Sequence, residues 1–534
     1  MIRVNDLKLP LEHNSPDIKK AAAKALKISE KRITDWSIYK MSVDSRKKPD
    51  IYISYSVDLT VEGDEEQILL KIPSNKASSV TVYAYEMPEN KRRSEFRPVV
   101  VGFGPSGMFS SLLLAKAGLK PIVLERGQDF DSRKKSVDEF WKNRVLNTES
   151  NVQFGEGGAG SFSDGKLNTG IKDARCRQVY LDLAENGAPK EILVSAKPHI
   201  GTDKLGTVVK NIRKKVIELG GEVIFNAKLT DLIIANGFVQ GVSYEKNGEK
   251  IDLETDAVIL CIGHSARDTV EMLYKKGVKM IQKPFSVGAR IEHPQELINK
   301  AQYGCAYKNP KLPTADYKMA CHPPHGRGAY TFCMCPGGTV VCASSEEGGV
   351  VTNGMSEYLR DGENANSAVL VGIEPENFPS EHVLSGMYLQ REIEQTAFRL
   401  GGESYSAPAQ LVGDFLKNMP SSRLGTVKPT IPTGVVMGDI RKVLPEKVTD
   451  TMAAAIVKMD GMLKGFALDD AVLTAPETRS SSPVRIVRDE FFQTNIRGLF
   501  PCGEGAGYAG GIVSAGVDGM RAAEAVLKDE KLFY

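Results

Sequence analysis

The sequence predicts an α/β protein of several domains. A three-layer Rossmann-type nucleotide-binding domain is split by an inserted mixed α+β domain and preceded by a small ferredoxin-like α+β domain. Three observations predict this. The apolar run Val99-Val100-Val101 passes into Gly102-Phe103-Gly104-Pro105-Ser106-Gly107 and then into a helix-like stretch, the strand-turn-helix entry of a parallel sheet. Apolar strands of the same kind stand far downstream, at 256–261 and 498–501. Between them, from about 275 to 475, the α/β alternation breaks down. A chain of 534 residues exceeds one core, and the boundaries read as 1–95, 96–275, 276–476 and 477–534.

The first domain offers a helix from Ser15 or Asp17 to Lys27, strands at 33–43 and 51–61, a short helix, and a strand at 80–85. The β-α-β-β-α-β order gives the ferredoxin-like expectation. Lys91-Arg92-Arg93-Ser94-Glu95 reads as a solvated linker. The second domain continues with a helix at 106–117, a strand at 121–124, and a helix at 205–219 that Thr202 or Asp203 starts and Gly220-Gly221 ends. Strands at 223–225, 229–234, 238–244 and 256–261 follow. The insert shows strands at 285–291, 329–335 and 339–343 and a helix at 448–463. The chain then returns to the sheet at 498–501 and ends on a helix to about 527.

Composition excludes little beyond the extremes. Charged residues make up 25%, and 69 basic against 67 acidic residues leave a net charge of +2, which attracts neither nucleic acid nor an anionic membrane as a whole. The longest tempting apolar stretch, 98–115, carries no charge but is broken by Gly102, Gly104, Pro105 and Gly107, whereas a membrane span needs ~20 apolar residues in one run. No signal-peptide pattern opens the chain, so a cytoplasmic protein with no membrane partner is expected. The eight cysteines are sparse and read as reduced thiols.

The fingerprint turn carries the first chemistry. Gly102 permits the tight turn, Gly104 lets backbone approach a pyrophosphate, and Gly107 lets helix and strand pack closely. The helix that follows offers free N–H groups and its positive dipole end to phosphate. Glu125 closes the next strand, 23 residues after Gly102, where its carboxylate can accept from a ribose diol and repel a 2′-phosphate.

Three more segments separate FAD from NAD. Glu125-Arg126-Gly127, the strand 256–263 ending at Gly263, and Gly498-Leu499-Phe500-Pro501-Cys502-Gly503-Glu504-Gly505-Ala506-Gly507 resemble, in chain order, motifs of FAD-binding flavoproteins of the glutathione-reductase type. The chain is most similar to a group of FAD-dependent dehydrogenases of largely unassigned substrate. That likeness runs through 154–167, 198–203, 286–294, 332–338, 477–485 and 505–519, almost the whole chain. Cys261 and Cys502 stand where small residues such as alanine are commoner. The resemblance implies a Rossmann-type FAD-binding domain with an inserted substrate domain. It implies FAD contacts from Gly102, Gly104, Pro105, Ser106, Gly107, Glu125, Arg126, Gly158, Gly160, Ser161, Gly263, Gly503, Glu504, Gly510, Gly511 and Ile512.

On the substrate side, His199 is a candidate proton donor, because histidine titrates near neutral pH. A structural or helix-capping role suits its run equally well. Arg290, Arg479 and Arg485 are candidates to hold an anionic substrate, against the ordinary alternative of ion pairs. Cys333-x-Cys335 is a candidate electron relay. On a strand, however, residues two apart share a face without being forced to bond, which leaves buried cysteines as the default reading. Cys321, His322 and His325 do not have the spacing of a structural zinc site, and no metal is expected.

The sequence therefore points to an FAD-dependent oxidoreductase that acts on a small organic substrate by hydride transfer, with either NAD(P)H as a transient donor or another protein as the source of electrons. A second reading, from another class, is a flavoprotein that binds RNA through its first domain, using Arg46-Lys47-Lys48 and Lys91-Arg92-Arg93. Residues 1–98 hold 18 basic and 15 acidic residues and no recognised nucleic-acid motif, which argues against it. The cleft is expected between the insert and the flavin, with the first domain outside it.

Overall fold

Val99–Val101 is the middle strand of a five-stranded parallel sheet, in a computed structural model that describes residues 1–80, 84–323 and 327–529. The order is Glu222–Ile224, Ile122–Leu124, Val99–Val101, Val258–Leu260, Leu499–Pro501, and every neighbouring pair is parallel. The three central strands and Leu499–Pro501 are buried on both faces, and this is why they read as continuous apolar runs. Chain order reverses beside Val99–Val101, so a crevice opens at the carboxyl ends of the strands.

Alternate residues of these strands feed two cores. Val100, Val123, Ile259 and Phe500 pack under the helices Pro105–Lys116, Thr202–Glu218 and Ile512–Lys528. Val99, Leu124, Val258 and Leu260 pack on the other face against an antiparallel meander of Lys228–Ala235, Phe238–Lys246 and Glu249–Glu254. The third meander strand escaped the sequence reading. It buries no residue and is polar along most of its length, so it lacks an apolar signal.

In the first domain, Ile2–Pro10, Ser15–Leu26, Ile33–Lys47, Asp50–Val61, Glu65–Leu69 and Ala77–Ser79 follow one another. The sheet order, Ile33–Lys47, Asp50–Val61, Ile2–Pro10, Ala77–Ser79, is antiparallel throughout, the split arrangement of a ferredoxin-like unit. The last strand lies at Ala77–Ser79 and not at 80–85. Its partner runs out at residue 1, where the Val80 N–H meets the Met1 carbonyl. Residues 81–83 of that expectation lie outside the described residues.

The expected solvated linker is in fact tied down. Arg92 is buried and ion-paired with Asp256, and the Tyr85 hydroxyl donates to Glu524 at 2.8 Å. The basic clusters proposed for RNA are also spent in part, since Arg46 pairs with Asp44 and Lys48 donates to the Ala301 carbonyl.

The insert is built on a seven-stranded sheet. Its order is Ala320–Cys321, Ala329–Cys335, Asn364–Ile373, Phe285–Pro294, Val472–Glu477, Ala407–Leu411, Val435–Met437. Helix Glu446–Asp460 packs on it, and the hairpin of Thr339–Cys342 and Thr352–Met355 forms a separate two-stranded sheet that also packs against it. Two central strands were not foreseen. Asn364–Ile373 opens with Asn364, Asn366 and Ser367, and Val472–Glu477 contains Pro476, so neither has the look of a core strand. Met280–Gln282 pairs with Val484–Ile486 where the chain leaves and re-enters the nucleotide-binding domain. Residues of the first domain and of the insert belong to one continuous apolar core. No helix among the described residues is long and apolar enough to cross a membrane.

Candidate functional site

The crevice begins at the fingerprint turn. Gly102 has φ +96°, and a Cβ there would lie 2.7 Å from the Cys261 carbonyl oxygen. A Cβ on Gly107 would lie 1.9 Å from the Gly102 carbonyl, so helix and strand close on each other only through glycine. The helices Pro105–Lys116 and Ile512–Lys528 start on Gly104 and Gly511, and neither start is capped by a side chain. Both leave backbone donors free. Around Gly263 and Gly510 a Cβ would meet nothing within 4 Å, the open space a flat ligand needs.

A second loop closes over the turn. Residues 151–158 wrap Arg133, which is fully buried and donates to the carbonyls of Asn151 (2.8 Å), Val152 (2.9 Å), Glu156 (2.7 Å) and Gly158 (2.9 Å). Burial pulls the Arg133 guanidinium down to about 10, although Glu125 and Glu156 oppose this. Glu125 accepts the N–H of Phe103 on one oxygen and those of Gly127 and Gly155 on the other. It thereby ties the turn, its own strand end and the second loop together. No sequence signal singled out Arg133, because its role depends on carbonyls about 20 residues downstream that only the fold brings to it.

These elements line a cleft of about 560 Å³, within the usual range of roughly 300–1,000 Å³ for ligand sites. Of the residues expected at the cofactor, Gly102, Gly104, Pro105, Ser106, Glu125, Arg126, Gly158, Gly160, Gly263, Glu504, Gly510, Gly511 and Ile512 line it. Gly107, Ser161 and Gly503 stand behind the wall. Ser161 donates to the Glu156 carbonyl, and the Gly503 N–H donates to Asp518, itself paired with Arg488. His264 brings Nδ1 to 3.3 Å from Glu504, and its buried Nε2 has no partner.

The insert supplies the other end of the cleft, with Lys318, Phe332, Cys333, Met334 and Arg479 in its wall. Arg479 reaches the cleft but is largely spent on Glu394 and Ser345. Arg290 and His199 are not brought to the cleft lining. Arg290 is fully buried and pairs with Glu477 at 2.8 Å. His199 turns Nε2 to the Tyr358 carbonyl at 3.0 Å, and burial together with Arg360 moves its pKa down, favouring the neutral ring. Arg485 likewise does not line the cleft and faces the Tyr508 ring. Among the described residues no group of three or more potential ligands could hold a metal ion, and His325 lies outside them.

Asp164 and Lys166 entered the sequence reading only as part of the likeness over 154–167. In the structure Arg360 grips Asp164 with two hydrogen bonds of 2.8 and 2.6 Å, and Lys166 lies 3.0 Å away. Burial pushes the Asp164 carboxyl up, but Lys166 and Arg360 together outweigh it and hold it at about 2.

Residues 284–480 match the family described as "FAD-dependent protein, C-terminal domain-like", and residues 1–60 match a domain of unknown function. An uncharacterized protein of Clostridium beijerinckii is 48% identical over 530 residues, covering 99% of this chain and 98% of its own. A digeranylgeranylglycerophospholipid reductase of Methanocella arvoryzae is 21% identical over 177 residues, 32% of this chain and 40% of its own. Among solved structures, a geranylgeranyl bacteriochlorophyll reductase-like protein of Thermoplasma acidophilum is 15% identical. The match covers 81% of this chain and 78% of that one, with a TM-score of 0.36.

Proposed function

Because the chain belongs to one family with the Clostridium beijerinckii protein and its residues 284–480 match an FAD-dependent family, we propose that it is an oxidoreductase acting on a small organic substrate by hydride transfer. One observation carries this reading. A single cleft has the fingerprint turn and Glu125 at one end and insert residues such as Lys318, Cys333 and Arg479 at the other.

The chain's own residues fit FAD. The uncapped N–H groups of Gly104 and Ser106 suit the pyrophosphate. Each Glu125 oxygen has two lone pairs, so the one that accepts only from Phe103 keeps capacity for a ribose hydroxyl. Glu504, beside His264, would hold the ribityl hydroxyls. The start of Ile512–Lys528 favours negative charge near it by about 1–2 kcal/mol. That equals roughly 20–40 mV for a two-electron couple, which tunes the chemistry without defining it. When bound, FAD supplies two-electron transfer as hydride. The insert wall excludes water and orients the substrate, and NAD(P)H is the transient donor we propose.

The test starts from the purified full chain. It should be yellow, and the cofactor released on denaturation should be FAD. Anaerobic mixing with NADH, NADPH and a metabolite panel, followed by flavin absorbance, then identifies donor and substrate. A colourless protein that takes up no added FAD would overturn the reading.

A further inference from the structure

Cys333 breaks the geometry of its strand. Ala329–Cys335 pairs with Asn364–Ile373 in register through Phe332↔Ala368, and the next partners are Cys335↔Asn366, so one residue is extra. At this bulge Cys333 has φ +43°, in the left-handed region that residues other than glycine rarely occupy. Bulges of this kind re-aim side chains beside active sites. Cys333 lines the cleft, while Cys335 is fully buried behind it.

Two cations close on this turn. Arg290 donates to the Cys333 carbonyl at 2.6 Å and lies 3.8 Å from Cys335 Sγ. It is fixed by Glu477 at 2.8 Å and Asn366 at 2.9 Å. Lys166 donates to the Met334 carbonyl between the two cysteines. The Cys335 thiol donates to the Cys333 carbonyl at 3.2 Å. The neighbouring Cys335 thiol, helped by Lys166 and Arg290, holds the Cys333 thiol below its ordinary value despite burial. The same contact and burial push Cys335 up. One thiolate facing a cleft and one shielded, protonated neighbour are the attacking and resolving partners that thiol–disulfide exchange requires.

We propose that Cys333 and Cys335 form a redox-active dithiol/disulfide pair that carries electrons between the flavin and a small external disulfide. The proposal rests on the FAD reading given above. The Cys333–Cys335 disulfide takes two electrons and two protons from the reduced flavin. Its S–S bond breaks, giving two thiols and oxidised flavin. The Cys333 thiolate then attacks one sulfur of the external disulfide and expels the other as a thiolate. Cys335 loses its proton and attacks Cys333 Sγ, which releases the second thiolate and restores the internal disulfide. The two protons of the dithiol end on the two thiolates released.

The first test does not read the flavin. The full chain is oxidised with diamide, desalted, unfolded in iodoacetamide, digested and sequenced by mass spectrometry. Cys333 and Cys335 should escape alkylation as one disulfide that dithiothreitol reverses, while Cys342 is alkylated. The second test is an anaerobic dithionite titration of the FAD-loaded protein. Diamide-treated wild type should take up about twice the reducing equivalents per flavin of Cys335→Ser, because two two-electron centres are present instead of one. If that variant does not fold, wild type reduced with dithiothreitol and desalted is the comparison, and it should take up about half as many as the oxidised sample. Two alkylated cysteines after diamide would overturn the proposal, as would equal titrations. Failure to bind FAD leaves the alkylation result readable, so the two readings fail separately.

Discussion

The Phe103 N–H donates to the Glu125 carboxylate at 2.7 Å, joining the fingerprint turn to the end of the neighbouring strand. Through Gly127 and Gly155, both at 2.9 Å, the same side chain also holds the second loop. Glu125→Ala therefore strands buried donors that each cost about 1–3 kcal/mol when unsatisfied. We expect lower flavin content after gel filtration and a lower Tm together, with Glu125→Gln intermediate. A variant with unchanged flavin content and Tm would show that the turn is held by other contacts.

Arg133, on the helix Phe130–Asn143, holds the second loop as Glu125 holds the turn. Its guanidinium spreads donors over several carbonyls of residues 151–158, and a Cβ on Gly155 would lie 2.4 Å from its Cδ. A lysine has one ammonium and cannot span them. Arg133→Lys should lose flavin and about 2–3 kcal/mol of stability, a magnitude set by charge-assisted hydrogen bonds lost in a buried site. Denaturant unfolding of the flavin-free protein separates the two effects. An unchanged midpoint there would assign Arg133 to the cofactor alone.

How far the sequence carried can be judged from particular residues. The places of Gly102, Gly104 and Glu125 along the cleft were legible from spacing along one strand, turn and helix, and that of Gly510 from the resemblance of the last segment. Arg133, Asp164 and Arg360 were not, because their partners lie across the fold. Arg290 and His199 were read as substrate groups from residue type alone, and tertiary packing placed both behind the wall. The Cys333–Cys335 spacing was read on an ideal strand. The bulge between Phe332 and Cys335 is a pairing event with Asn364–Ile373, a strand whose polar start concealed it.

Glu394 makes the fold sensitive to acid. It is buried between Arg267, at 2.8 Å on both oxygens, and Arg479, at 3.1 and 2.8 Å, so it joins the nucleotide-binding domain to the insert. Burial pushes its carboxyl up, but the two arginines outweigh this and hold it far below the usual range. A depressed folded value gives stability that is complete above the unfolded value of about 4.3 and is lost as pH falls below it. Glu394→Gln removes the carboxylate shared by two buried guanidinium groups, of which Arg267 keeps its ion pair to Glu346, costing about 3–5 kcal/mol near neutral pH. The gap between variant and wild type in urea midpoint should narrow from pH 6 to pH 3. A gap constant over that range would show that Glu394 does not titrate on unfolding.

The first domain should act on the cleft without entering it. None of its described residues lines the cleft. Met41, on the outer edge of Ile33–Lys47, takes the Ala196 N–H on its carbonyl at 2.8 Å and donates its own N–H to the Val194 carbonyl at 2.7 Å. Residues 194–196 lead into Lys197, which lines the cleft, and then to His199, which bridges Lys166 on the next segment. The edge strand thus holds one wall of the cleft from outside. Met41→Pro removes only the outward N–H of an edge strand, a position where proline is tolerated, so the domain should keep its fold. We expect faster hydrogen exchange at the Ala196 amide and weaker ligand-induced changes in the flavin spectrum, with flavin content unchanged. Exchange at Ala196 equal to wild type would show that residues 194–196 keep their place without the Met41 pairing. Loss of FAD together with the spectral response would instead make the first domain part of the support for the cofactor.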